Sequence, residues 1–222
     1  MSKILGVLGG MGPAATLDFL AKLQAATPVR HEQDHLRVLV DINPRVPDHG
    51  LDPGAAGPVL AAMAAGLREA GAQVLAIACN TAHAYADEVR ASGLPLVDMP
   101  HAAGLAARTA GVTRVGVLGA AGALGLYRQR LSHLGLEVIS LGDHEQIEFM
   151  ALLYRIKSGD LGSASRETMA GLAHRLVALG AEAVIAGCTE VPLVLDQDAL
   201  SVPFIDATDA LARRCVAVCL EP

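Results

Sequence analysis

The sequence predicts an α/β protein of two similar lobes, each a doubly wound, mainly parallel sheet flanked by helices, the lobes being related by pseudo-two-fold symmetry. Three observations predict it. Short apolar runs alternate with longer helical segments along the chain. The runs are hydrophobic throughout rather than at alternate positions, as in strands covered on both faces. And one stretch of the chain repeats the order of elements of another.

The expected strands, in order, are Ile4 to Leu8, Val38 to Ile42, Val74 to Ala78, Leu96 to Asp98, Val115 to Leu118, Val138 to Leu141, Ala183 to Ala186 and Phe204 to Asp206. Between and after them, helical periodicity covers Ala14 to Ala26, Ala55 to Ala70, Ala82 to Ala91, Ala102 to Ala110, Leu124 to Leu134, Glu145 to Lys157, Ala164 to Leu179 and Ala207 to Leu220. With 52% hydrophobic but 3% aromatic residues and no Trp, the core must come from Ala, Val, Leu and Ile. Such a core suits helices lying on sheets.

The internal repeat relates Leu67 to Met99 and Leu176 to Ala207. Both run through a helix end, a Gly-Ala turn, an apolar strand, a Cys-containing loop, a helix, a Pro, a strand and an Asp. The glycine-rich turns Val7 to Gly12 and Val117 to Gly122 echo each other as well. We therefore expect a first lobe of 1–98 plus 208–222 and a second of 99–207. Ligands of such sheets sit beyond the carboxyl ends of the strands. A pseudo-two-fold would bring equivalent loops face to face, so the active site is expected in the cleft between the lobes, with Cys79 and Cys188 in the equivalent loops.

Charge and hydropathy exclude several functions. A formal net charge of -6, a pI near 5.7 and the lack of a Lys/Arg cluster argue against nucleic acid or an anionic membrane as partner. No apolar run approaches the roughly 20 residues of a membrane span, and Met1 to Gly12 reads as a first strand, not a signal. The expected location is cytoplasmic, with the four cysteines as reduced thiols.

Cys79 lies in Ala78-Cys79-Asn80-Thr81-Ala82-His83, after a strand and before a helix, where backbone N–H groups and the helix dipole favour thiolate. Asn80 and Thr81 supply donors for a carboxylate. Cys188 lies in Gly187-Cys188-Thr189-Glu190-Val191-Pro192, where Pro192 fits a first helical turn and Thr189 repeats the donor. A lone cysteine reads as a small buried hydrophobe; the paired placement points instead to two catalytic thiols. Two opposed thiols suit inversion of a stereocentre bearing hydrogen: one removes the proton from one face and the other returns a proton to the opposite face. No cofactor or metal is required. Cys215 and Cys219, four apart on the last helix, read as packing.

Two further stretches keep alternatives open. Gly10, Gly12 and Ala15, with Asp41 ending the next strand, satisfy a loose dinucleotide pattern, and they equally allow close backbone approach to a small anion. Asn43 to Gly50 has turn chemistry throughout; it is either a solvent loop or one whose Arg45 or His49 reaches a carboxylate. His83 and His101, near helix starts, read as capping or surface residues.

At these residues the chain resembles the cofactor-independent aspartate/glutamate racemases, in the aspartate racemase branch. The resemblance rests on Leu8-Gly9-Gly10-Met11-Gly12-Pro13 with Ala15-Thr16, the Asn43-Pro44 to Pro47-Asp48 loop, Cys79-Asn80-Thr81-Ala82-His83 and Gly187-Cys188-Thr189-Glu190, and it spans nearly the whole chain. It implies that Cys79 and Cys188 alternate as acid and base, and that Asn80, Thr81 and Thr189 hold the α-carboxylate while Met11 lines the site. It further implies that Lys157, together with position 49, binds the side-chain carboxylate, and it allows a homodimer. Two positions depart from the branch. His49 stands where Arg is usual, and the loop Gly119 to Leu124 lacks the usual threonines. The departures bear on substrate choice, with a small amino acid or dicarboxylate expected. The alternatives are another enzyme of the superfamily, such as a hydantoin racemase or maleate isomerase, and a non-catalytic small-acid-binding protein.

Overall fold

The computed structural model describes residues 2–48 and 54–221. The chain divides into two compact units, Met1–Met99 with Thr208–Pro222, and Pro100–Ala207.

The elements run β1 (Leu5–Gly9), α1 (Pro13–Ala26), β2 (Val38–Ile42), α2 (Ala56–Glu69), β3 (Val74–Ile77), α3 (Ala86–Arg90) and β4 (Leu96–Val97), then α4 (Met99–Thr109). The second unit continues with β5 (Arg114–Leu118), α5 (Ala121–Ser132), β6 (Glu137–Ile139), α6 (Asp143–Lys157), α7 (Ser163–Ala178), β7 (Ala183–Ala186) and β8 (Phe204–Asp206), and α8 (Ala207–Leu220) returns to the first. The first sheet has the order β2-β1-β3-β4 and the second β6-β5-β7-β8, so the two have one topology. Every pairing is parallel. Parallel neighbours require crossover connections, which the alternating helices provide.

The two units also match in packing detail. Gly71 lies just beyond the end of α2 and Gly180 just beyond that of α7, each with positive φ. In both, the next alanine closes the end: Ala72 N–H donates to Leu67 C=O at 2.9 Å, and Ala181 N–H to Leu176 C=O at 3.0 Å. Each helix end rests on a glycine of its central strand. A Cβ on Gly6 of β1 would lie 2.8 Å from Ala72 Cβ, and one on Gly116 of β5 would lie 2.8 Å from Leu176 Cβ. Only a hydrogen in place of a side chain allows helix and sheet to approach this closely.

Leu8, Leu60, Leu75, Ile77 and Val89 belong to the core of the first unit, and Leu118, Phe149, Leu152, Met169 and Val184 to that of the second. Full burial of each large side chain contributes roughly 1.5–3 kcal/mol. Central strands β1, β3 and β7 are buried along their length. Full coverage does not extend to the edge strands β2 and β6, which carry half-buried and exposed positions, because a terminal strand lies beyond the helices covering the sheet centre.

Two expected helices are not continuous. In place of a helix over Ala82 to Ala91 there is a 3-10 turn, Thr81–Tyr85, followed by the short α3. The His83 N–H bonds three residues back to Asn80 C=O at 3.1 Å, while the His83 ring occupies the Cys79 carbonyl that an α-helical turn would use. After Cys188 the helix expected from the repeat is reduced to two 3-10 turns, Val191–Leu193 and Gln197–Ala199. There the Asp196 side chain accepts from Asp198 N–H at 3.1 Å, a local bond that competes with helix continuation.

Cys215 and Cys219 are fully buried on α8, and burial pushes both thiols up from ordinary acidity, so they pack as neutral groups. Lys3 N–H donates to Cys219 C=O at 2.8 Å, tying the residue before the first strand to the last helix. Among the described residues no helix is long and apolar enough to cross a membrane, and no three metal-ligating side chains cluster.

Candidate active site

Strand β3 delivers Cys79 at its carboxyl end. Ala78 N–H still bonds Leu8 C=O at 2.9 Å, so the chain leaves the sheet only at the cysteine. Cys79 is buried, its sulfur 3.6 Å from the Thr81 hydroxyl, and it belongs to an apolar cluster against which Met11 also packs. Asn80 is buried beside it.

The glycine-rich turn after β1 is shaped by internal contacts. Thr16 Oγ1 accepts from Gly10 N–H at 2.9 Å and donates to Gly12 C=O at 3.0 Å. Gly10 has φ +99°, and a Cβ there would stand 2.4 Å from the Asn43 backbone. Gly9 is pressed as closely on Thr16. Gly10, the first glycine of the loose dinucleotide pattern, is thus required by the fold itself, and Pro13 opens α1 as expected. Asn43 forms a local turn, its Oδ1 accepting from Arg45 N–H at 3.0 Å. His49 lies outside the described residues.

His83 is the first residue whose role the sequence concealed. It is fully buried, not a surface or simple capping residue. Its Nε2 accepts from Met99 N–H at 3.1 Å, which leaves Nδ1 to carry the hydrogen and donate to Cys79 C=O at 2.8 Å. Burial holds its pKa below the usual imidazole value against the opposing influence of Asp98, so the ring is the neutral tautomer this pattern needs. His101, by contrast, is exposed on α4.

In the second unit β7 delivers Cys188 at the equivalent point. Gly187 precedes it, and a Cβ there would lie 2.6 Å from Val117 Cγ1 and 3.1 Å from Leu118 C=O, so the loop lies tightly on β5. Cys188 is half-buried. Its thiol donates to Glu190 Oε2 at 2.9 Å, and the buried Thr189 hydroxyl donates to the same oxygen at 3.3 Å. Glu190 is only 3% exposed. It is the second concealed residue; its offset of two from the cysteine was the available signal. The turn after β5 carries no side-chain hydroxyl, and Gln146 Nε2 reaches back to Gly119 C=O at 3.0 Å. Lys157 ends α6 on the surface, its ammonium 5.5 Å from the Tyr154 ring centre. The structure thus groups Met11, Cys79, Asn80 and Thr81 in one unit and Cys188, Thr189 and Glu190 in the other.

The sequence profile described as Asp/Glu/hydantoin racemase matches residues 8–215. The chain belongs to that family. Within it, the chain is 26% identical over 234 residues to the broad specificity amino-acid racemase RacX of Bacillus subtilis, covering 98% of each protein. The structure of an aspartate racemase homologue from Pyrococcus horikoshii superposes with a TM-score of 0.81 at 27% identity, over 100% of both chains. That of the Picrophilus torridus aspartate racemase gives 0.83 at 24% identity, over 97% of this chain and 93% of that one, a likeness of fold. The fold is the two-lobed racemase fold, and membership makes the protein a racemase-class enzyme.

Proposed function

We propose that this racemase acts on small amino acids, aspartate and glutamate first among them, without a cofactor, through Cys79 and Cys188 as alternating base and acid at the α-carbon. One observation carries the reading: in two units of identical strand order, a cysteine leaves the carboxyl end of the equivalent strand, β3 or β7, in a loop with a hydroxyl residue beside it.

The thiolate of one cysteine takes the α-hydrogen as a proton, and the C–H electron pair stays on carbon, delocalised into the carboxylate. The thiol of the other delivers its proton to the opposite face, forming the new C–H bond. Each turnover exchanges the two protonation states, so the pair serves both enantiomers. Asn80, Thr81 and Thr189 are assigned to the α-carboxylate, Met11 to the wall, and Lys157 with His49 to a side-chain carboxylate.

A second reading has its own support. At the start of α5, Ala120, Ala121 and Ala123 offer no hydroxyl donor, which suits a ring-closed amino-acid derivative whose α-carboxyl is not a free carboxylate, as in a hydantoin.

Incubation with single amino acids and hydantoins in D₂O, following α-deuterium incorporation, tests both. Exchange with a free amino acid that disappears in Cys79→Ala and in Cys188→Ala supports the first reading. Exchange confined to hydantoins supports the second. No exchange across a broad panel at high enzyme concentration refutes both.

A further inference from the structure

We propose that Glu190 is the group that holds Cys188 in its protonated form, so that the resting enzyme carries Cys188 as proton donor. The protonation claim stands on geometry alone; the role as donor rests on the two-thiol reading above.

The Cys188 sulfur and Glu190 Oε2 are 2.9 Å apart, with the thiol as donor. A carboxylate that is 3% exposed requires donors, since burying it unpaired costs several kcal/mol. It has two on a single oxygen: the Cys188 thiol and the Thr189 hydroxyl. Ionising the thiol would place a second negative charge in contact with a carboxylate that is itself buried. The equivalent offset in the first unit, two residues beyond Cys79, holds the neutral hydroxyl of Thr81 at 3.6 Å.

The pair gives the catalytic cycle a defined starting state. Cys188 gives its proton to the α-carbon as Cys79 accepts the substrate proton. The new Cys188 thiolate then faces the Glu190 carboxylate, and their repulsion favours return of a proton from solvent to sulfur while Cys79 releases its proton to solvent. Glu190 acts through Cys188 and is a positioning residue.

The test reads thiol ionisation directly, in a Cys79→Ser protein in which Cys188 is the remaining accessible thiol; Cys215 and Cys219 are buried and desolvated. In that protein the ultraviolet thiolate absorbance at neutral pH should be essentially nil. Adding Glu190→Gln should raise it and accelerate alkylation of Cys188 by iodoacetamide about tenfold, the effect of one pK unit. A full thiolate signal from Cys188 with Glu190 present overturns the proposal whatever the double variant does. So does faster alkylation without added thiolate absorbance, which reports access alone, or no change in either. Labelling of Cys215 or Cys219 reveals unfolding of the double variant, and the Cys79→Ser measurement then decides. Absence of α-deuterium exchange in the parent enzyme would sink the racemisation reading and leave the thiol–carboxylate pair standing, so the two failures are separable.

Discussion

In the loop after β3, the residue two beyond the cysteine is Thr81, a neutral hydroxyl 3.6 Å from sulfur; in the loop after β7 it is Glu190, a buried carboxylate at 2.9 Å. The strands that deliver the loops are equivalent in sheet order, and the helices preceding them end in the same glycine-alanine turn. Their supports differ too. An imidazole holds the backbone carbonyl of Cys79, whereas Gly187 lets the Cys188 loop lie directly on β5. A duplicated scaffold has thus kept its packing and diverged in what surrounds each sulfur. Equivalent positions need not have equivalent protonation.

The largest expected effect is on activity. If both thiols act at one carbon, Cys79→Ala and Cys188→Ala should each lower kcat for racemisation by roughly 10²–10⁴-fold, the usual contribution of a positioned acid or base. Near-normal racemisation in either variant, measured by polarimetry, would break the functional symmetry. The scaffold comparison is tested next by Gly6→Ala and Gly116→Ala. Each added methyl meets the following helix end at 2.8 Å, so each should cost about 1–3 kcal/mol in urea unfolding. Costs that differ widely would show that the match stops at topology.

His83 belongs to the first loop alone, and its contribution has a defined pH signature. Because its folded pKa is lowered by burial, the unfolded chain binds a proton that the folded one refuses once pH falls below about 6.5. The stability due to neutral His83 is therefore present above that pH and declines below it, by at most about 1.4 kcal/mol per pH unit, until the folded ring titrates. In His83→Gln this stretch of the decline should vanish from thermal melts recorded across the acid range. The smallest effect concerns a matched pair outside the loops. Gln73 Oε1 accepts from Ile4 N–H at 3.0 Å, and Glu182 Oε2 accepts from Thr113 N–H at 2.7 Å and Arg114 N–H at 3.1 Å. Those backbone bonds hold the Glu182 carboxyl below its ordinary pKa. Its stabilisation is thus present at neutral pH and lost as acid titrates the folded carboxylate. Glu182→Gln should lower Tm at neutral pH by about 2 °C or less and cease to differ from the parent in strong acid.

The scaffold was largely legible in the sequence because uniformly apolar strands, Gly-Ala helix ends and a repeated order of elements are local signals. Val38 to Ile42, Ala183 to Ala186 and Phe204 to Asp206 coincide with observed strands to the residue. The edge character of Val38 to Ile42 was not legible, since coverage depends on strand order and not on the strand's own residues. At the site, the positions of Cys79 and Cys188 followed from the repeat. His83 was obscured because a histidine near a helix start is usually exposed; its burial depends on Met99, sixteen residues on, supplying an N–H. Glu190 was in view beside Cys188, but a carboxylate in a loop normally faces water, and only the fold shows it turned inward to the thiol.

The bond from Lys3 N–H to Cys219 C=O bears on the order in which the protein assembles. The second unit is one uninterrupted segment, Pro100–Ala207, whose own strands and helices are all present once that segment has been synthesised. The first unit is split, and the residue leading into its first strand waits for a carbonyl on the final helix. On a ribosome the second unit can therefore reach its native contacts while the first still lacks α8. The Cys188 loop can thus be complete before the unit that carries Cys79 has its last helix.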